Sequence, residues 1–277
     1  NPSAAFDGKN FVVAWMDNRD VEQSYHIRAS RVNTKGIVYE PDGILVAGYD
    51  ENYLRKLLRS DNLEGLPLNS FPAIACNEGG CLIGWVQKTQ PWKESPGFKY
   101  ITTEPEIKVR GSVISILKGA ALRDDRAGNP AISLAVNNGK FMAVYSGIQG
   151  KGGGTYFIVG IPFEDIYKSQ NGVNPVQVRP LEAGHKISES IAPYNEGFII
   201  TWIEEIYSKR ESSRKFTMKG AVIDKENTIK TVEIIPIHDS YIGYPSIYIN
   251  AQEGLLIYEE IDEKYGMRVT GRMFKVK

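Results

Sequence analysis

Three carboxylates share one local setting. Asp17, Glu204 and Glu260 each stand two places after an aromatic residue (Trp15, Trp202 or Tyr258) that closes a short apolar run. Gln87 and Gly147 take that place after Trp85 and Tyr145. Two carboxyls held about 5–10 Å apart can hydrolyse a glycosidic bond, one protonating the leaving oxygen and the other acting as base or nucleophile. The competing reading is a strand end whose carboxylate is solvated or paired with a cation. The run Asp17-Asn18-Arg19-Asp20, with Arg19 two residues away, favours the ion-paired reading.

Other residue groups carry weaker chemistry. Cys76 and Cys81 flank Asn77-Glu78-Gly79-Gly80, so a hairpin would set them opposite one another at bridging distance. A disulfide is expected, and with it an oxidising compartment. His26, His185 and His238 are isolated and no further cysteine exists, so no metal site is expected, and no cofactor. The run Gly147 to Thr155 resembles a phosphate loop superficially, but lacks Lys followed by Ser or Thr at the required spacing. No Gly-x-Ser-x-Gly elbow is present. Trp92, Phe98, Tyr100 and Tyr207 read as lying in long loops, among Lys88, Lys93, Lys99, Lys209, Arg210 and Arg214. Aromatic faces flanked by polar groups suit sugars and protein partners, which makes Trp92, Tyr100, Tyr207 and Arg19 the candidate binding residues. Folding back over strand edges is the structural alternative.

The elements that would position these groups are repeated. An apolar run ending in an aromatic recurs as FVVAW (Phe11–Trp15), CLIGW (Cys81–Trp85), FMAVY (Phe141–Tyr145), FIITW (Phe198–Trp202) and LLIY (Leu255–Tyr258). Each follows a turn rich in Gly or Asn. Pro2, Pro72 and Pro245 mark the preceding strand in three units. A third-strand signature recurs as IRASRV, VRGSVI, IVGIPF, MKGAVI and VTGRMF, with Ala29, Gly111, Gly160, Gly220 and Gly271 at its small position. A fourth strand follows in some units, as at Ile44–Ala47 and Val232–Pro236. Four antiparallel strands per unit, repeated radially, is the plan of an all-β propeller.

At FDGKNFVVAWMDNRD followed by IRASRVNTKGIV the chain resembles the repeats of bacterial secreted and lipoprotein β-propellers. Those propellers mostly carry no assigned activity, so the resemblance implies fold and export rather than a reaction. Propeller glycosidases place an acid and a base in a central mouth, and carry one carboxylate early in an innermost strand. Ser3-Ala4-Ala5-Phe6 has none.

The expected architecture is one propeller domain over residues 1–277, with five blades at about 1–66, 67–128, 129–185, 186–241 and 242–277. The last blade lacks its outer strand within this chain, so a strand donated by another chain or segment is a possible partner contribution. The stretches after the second strands (16–25, 86–105, 146–155, 203–215 and 259–265) read as long loops sharing one side with the connections between units. Residues 50–60 read as a short amphipathic helix.

Lys plus Arg equals Asp plus Glu at 33 each, which argues against a nucleic-acid partner. No apolar run is long enough to span a bilayer. The composition is that of an ordinary globular chain, 42% hydrophobic and 24% charged. The functional expectation is an extracytoplasmic (secreted, periplasmic or cell-surface) binding or structural module whose loops meet a protein or glycan. A propeller glycoside hydrolase and a subunit completed by a partner's strand are the alternatives.

Overall fold

The computed structural model is all-β and describes residues 2–19, 25–48, 68–90, 93–115, 132–149, 155–163, 176–179, 185–208, 213–238, 241–250, 253–262 and 264–275. Among these residues the strands form five antiparallel sheets, each a meander of consecutive strands. The first holds β1 (Ser3–Phe6), β2 (Asn10–Asp17), β3 (His26–Asn33) and β4 (Ile44–Ala47). The second holds β5 (Leu68–Asn77), β6 (Gly80–Gln90), β7 (Lys93–Thr102) and β8 (Lys108–Ser115). The third holds β9 (Ile132–Asn137), β10 (Lys140–Gln149), β11 (Thr155–Phe163) and β12 (Val176–Arg179). The fourth holds β13 (His185–Tyr194), β14 (Gly197–Ser208), β15 (Ser213–Ile223) and β16 (Ile229–His238). The fifth has three strands, β17 (Ile242–Asn250), β18 (Glu253–Asp262) and β19 (Gly266–Lys275), as the short last unit implied.

Local chemistry sets the tight turns. Asp7 Oδ1 accepts the N–H groups of Lys9 at 2.9 Å and Asn10 at 2.6 Å, while Gly8 supplies the positive φ of 98°. Asn138 and Gly139 both take positive φ, 49° and 78°, which joins β9 to β10 by a turn whose twist matches the flanking strands.

Two sequence readings are corrected. VRGSVI forms the fourth strand of the second sheet, β8; the third strand is Lys93–Thr102. Its Gly97 stands opposite Trp85, and an added Cβ would meet the indole ring at 2.6 Å. Secondly, most of the supposed long loops are strand: β6 runs to Gln90 and β7 starts at Lys93, β14 runs to Ser208 and β15 starts at Ser213. Polar side chains there misled the reading, because a hairpin that extends past its apolar core keeps its ladder while losing its hydrophobic pattern. The helix expected over 50–60 lies outside the described residues.

Contacts divide the chain into two compact units, the first carrying β1–β8 and the second β9–β19. One packing rule operates in both. In the first unit Val12 and Ala14 of β2 are buried with Cys81, Ile83 and Trp85 of β6. In the second, Met142 and Val144 of β10 are buried with Phe198, Ile200 and Trp202 of β14. Ile199 and Ile203 of β14 are buried in turn with Leu256 and Tyr258 of β18. Within each unit, the second strand of the earlier sheet thus turns its other face toward the aromatic-ended face of the second strand of the later sheet, the two faces being separated by strand alternation. Each fully buried aromatic contributes about 2–3 kcal/mol by area.

The small position also has a structural cause. The residue before each aromatic pairs across the hairpin as Ala14–Ala29, Gly84–Phe98, Val144–Gly160, Thr201–Gly220 and Ile257–Gly271. One partner is Ala or Gly each time, and in the second sheet the small residue has changed strands. Within the first unit Arg31, 8% exposed, ties the two sheets together. It donates to the carbonyls of Thr103 at 2.8 Å and Pro105 at 2.9 Å, and to Glu40 Oε1 through Nε at 3.0 Å.

Candidate functional site: carboxylates at the strand ends

The three carboxylates lie near the ends of β2, β14 and β18, each on its own sheet and each with its own cation. Alternation puts a residue two places after the aromatic on the same face, so the carboxylate meets the ring it follows. Trp15 Nε1 donates to Asp17 Oδ2 at 3.0 Å, and Trp202 Nε1 donates to Glu204 Oε1 at 3.3 Å.

Asp17 is nearly buried. Arg19 donates to it from Nε at 2.8 Å and from its backbone N–H at 2.9 Å, and forms an ion pair through its guanidinium at 2.6 Å. Arg28, opposite Trp15 in the register, approaches Asp17 Oδ2 at 3.8 Å. Burial pushes the Asp17 carboxyl up, but the hydrogen bonds from Arg19 and Trp15 together outweigh it and bring the pKa down to about 2.

Glu204 pairs with Lys219 Nζ at 2.6 Å, and Lys219 stands opposite Trp202 in the register. Glu260 accepts from Thr270 Oγ1 at 2.7 Å and from Arg268 Nε at 2.7 Å. The Thr270 hydrogen bond, helped by Arg268 and opposed by burial, holds the Glu260 carboxyl below the usual range.

Sequence reasoning missed Lys219, Arg268 and Arg28 as partners. For two of them a signal existed: Arg28 and Lys219 directly precede the small residue of the third strand, in IRASRV and MKGAVI. The other candidates scatter. Tyr100 stands inside β7 rather than in a loop, is 7% exposed, and sets its hydroxyl 2.8 Å from where a Cβ on Gly80 would be. It packs on the β5–β6 turn. Tyr207 stands near the end of β14, opposite Arg214 of β15. Trp92 and residues 150–154 of the glycine-rich run lie outside the described residues. Cys76 and Cys81 form the expected disulfide, with Cα atoms 4.0 Å apart.

Among the described residues no three His, Cys, Asp or Glu side chains gather in a way that could hold a metal ion. No helix there is long and apolar enough to cross a membrane.

No protein-family model matches the sequence, and no curated protein matches it. Solved structures do. The crystal structure of an endo-arabinase from Bacteroides thetaiotaomicron is 10% identical, with all of this chain and 94% of that chain covered and a TM-score of 0.52. A thermostable family-43 glycoside hydrolase is 9% identical, with 100% of this chain and 88% of that chain covered and a TM-score of 0.51. The protein is an all-β propeller, with five antiparallel sheets among the described residues, the last of three strands. The implication that such propellers mostly lack an assigned activity finds no support here, since both of these carry enzyme names.

Proposed function

We propose that this chain is an extracytoplasmic β-propeller that binds a glycan through the hairpin ends on one side of its sheets, without cleaving it. The observation that carries the reading is the state of the carboxylates. A general acid needs a raised pKa, whereas Asp17 and Glu260 are held low by cations and hydrogen bonds, and Glu204 is taken by Lys219. Such groups fix side chains and present polar, charged strand ends; they do not hand over protons at neutral pH. A glycan is favoured over a protein as partner by the names endo-arabinase and glycoside hydrolase borne by propellers of like architecture. The disulfide supports an oxidising compartment.

The same names favour a second reading, glycoside hydrolysis. Native electrophoresis through gels containing arabinan, with a parallel assay for new reducing ends, separates the two. Retarded migration without new reducing ends is expected. Release of reducing ends replaces binding with hydrolysis. No retardation across a panel of polysaccharides removes the glycan and leaves a protein partner.

A further inference from the structure

The first strands of three sheets carry the same irregularity. In the second sheet the pairing of β5 with β6 skips from Ser70–Val86 to Ala73–Gly84, so that Phe71 and Pro72 both stand opposite Trp85. In the fourth, the skip from Ile187–Ile203 to Ser190–Thr201 sets Ser188 and Glu189 opposite Trp202. In the fifth, the skip from Gly243–Glu259 to Ser246–Ile257 sets Tyr244 and Pro245 opposite Tyr258. Each is a bulge facing the aromatic that closes the second strand, and a bulge re-aims a side chain. In the second and fifth sheets its first residue has positive φ, 51° at Phe71 and 47° at Tyr244. Glycine takes this conformation without strain, whereas a bulky ring directly before proline is poorly suited to it. Strained residues of this kind persist where the surrounding structure holds them, and they cluster at ligand sites. Phe71 is half-buried, but Tyr244 is 62% exposed, with Pro245 buried behind it.

Polar groups of the second unit stand beside this ring. Tyr244 lies at the hairpin-end side of the fifth sheet, where Ile242 pairs with Glu260 and Gly243 with Glu259. The Tyr241 hydroxyl covers the bare Cα of Gly243. Tyr241 is fixed between the fourth and fifth sheets: its ring meets Phe216 edge-on at 5.4 Å, and its carbonyl accepts the N–H of Ile261 at 3.1 Å. Burial, and then the nearness of Tyr244, Glu259 and Glu205, push the Tyr241 hydroxyl up, which keeps it a donor. Glu205 is itself paired with Arg214 at 3.0 Å. We propose that Tyr244 is the stacking platform for one sugar ring of the bound glycan, with Tyr241 donating to the sugar hydroxyls and Glu259 accepting from them. The negative face of an aromatic ring attracts the weakly positive C–H groups of a sugar face, and the flanking hydroxyl and carboxylate serve its polar rim. The bulge supplies the reason for the strain: it turns outward a ring that regular alternation would place elsewhere. This inference rests on the glycan reading and narrows it to one named site.

Affinity electrophoresis of the whole chain in gels containing arabinan, xylan, galactan or hydroxyethyl cellulose tests it. In the polysaccharide that retards the unaltered protein, Tyr244→Ala should weaken binding at least about tenfold. Tyr244→Trp should preserve it. Tyr248→Ala removes a ring of similar exposure (61%) further along β17 and should leave retardation unchanged. Tyr244→Gly separates a ligand platform from a packing role, because it removes the ring and relieves the positive φ together. It should lose binding without lowering the urea midpoint. A lowered midpoint in Tyr244→Gly assigns the ring to packing and overturns the inference. Retardation that survives Tyr244→Ala overturns it as well, and leaves the glycan reading standing. An unaltered protein that none of these polysaccharides retards overturns both.

Discussion

Trp202 donates its indole N–H to Glu204, two residues further along the same strand, at 3.3 Å. Trp15 and Asp17 repeat the relationship at 3.0 Å. An indole packed between sheets needs an acceptor for its one donor, and a carboxylate on the same strand face supplies it. The carboxylate then needs a cation, which the third strand provides as Lys219, or as Arg28 alongside Arg19. Where Gln87 replaces the acid, Trp85 Nε1 has no hydrogen-bond partner among the described residues. A pattern that looks like paired catalytic acids thus has a packing cause.

Glu204→Ala should lower stability by about 2–3 kcal/mol, because it leaves Lys219 part-buried without its partner. The double variant Glu204→Gln, Lys219→Met should recover most of that loss. Urea denaturation of the four forms measures the coupling. A double variant no more stable than Glu204→Ala alone would show that the pair is not coupled.

Asp17 makes stability depend on acid. Its pKa is 3.8 unperturbed and about 2 in the fold, so protonation favours the unfolded chain. The contribution is complete above about pH 4 and disappears as pH falls through about 2. Asp17→Asn should flatten the dependence of the urea midpoint on pH in that window, with the unaltered protein as reference. Parallel curves for the two proteins would remove Asp17 from the acid transition.

The disulfide closes a short loop, Cys76 and Cys81 being 5 residues apart. Chain entropy then credits it with only about 2 kcal/mol. The paired substitution Cys76→Ala, Cys81→Ala should reduce stability by about that amount while leaving the fold intact by far-UV circular dichroism. Cys81 is fully buried, so reductant should act slowly on the native protein and quickly after partial unfolding. Rapid reduction under native conditions would contradict the burial of this hairpin.

Arg31→Met should cost about 2–4 kcal/mol, since it strands two carbonyls and the Glu40 carboxylate that the guanidinium now satisfies. Arg31→Lys should restore little, because an ammonium cannot reproduce the guanidinium's spread of donors. Thermal denaturation of both variants provides the measurement. Recovery to near the original midpoint with lysine would show that charge, not geometry, matters there.

The repeat was readable in the sequence because its cause is local. A glycine turn, an alternating apolar run and a closing aromatic recur wherever a sheet must pack on both faces, as at Phe198–Trp202. The extents of the hairpins were not readable. Lys88 and Glu94 pair across β6 and β7 with no apolar signal to announce it. The third strand of the second sheet was misplaced for a related reason: its small residue has moved to Gly84 on the partner strand, so Phe98 stands where other sheets have Ala or Gly. The candidate carboxylates were found, with their aromatic companions, but their cations come from across the hairpin. Lys219 meets Glu204 only once register is known.

Every sheet is made from one uninterrupted stretch of chain, its strands lying in sequence order. A nascent polypeptide could therefore complete each sheet as soon as its own strands have emerged, four of them or, in the fifth sheet, three, with no strand still to be synthesised or threaded through. Vectorial folding of this kind limits the time for which apolar strands wait unpaired.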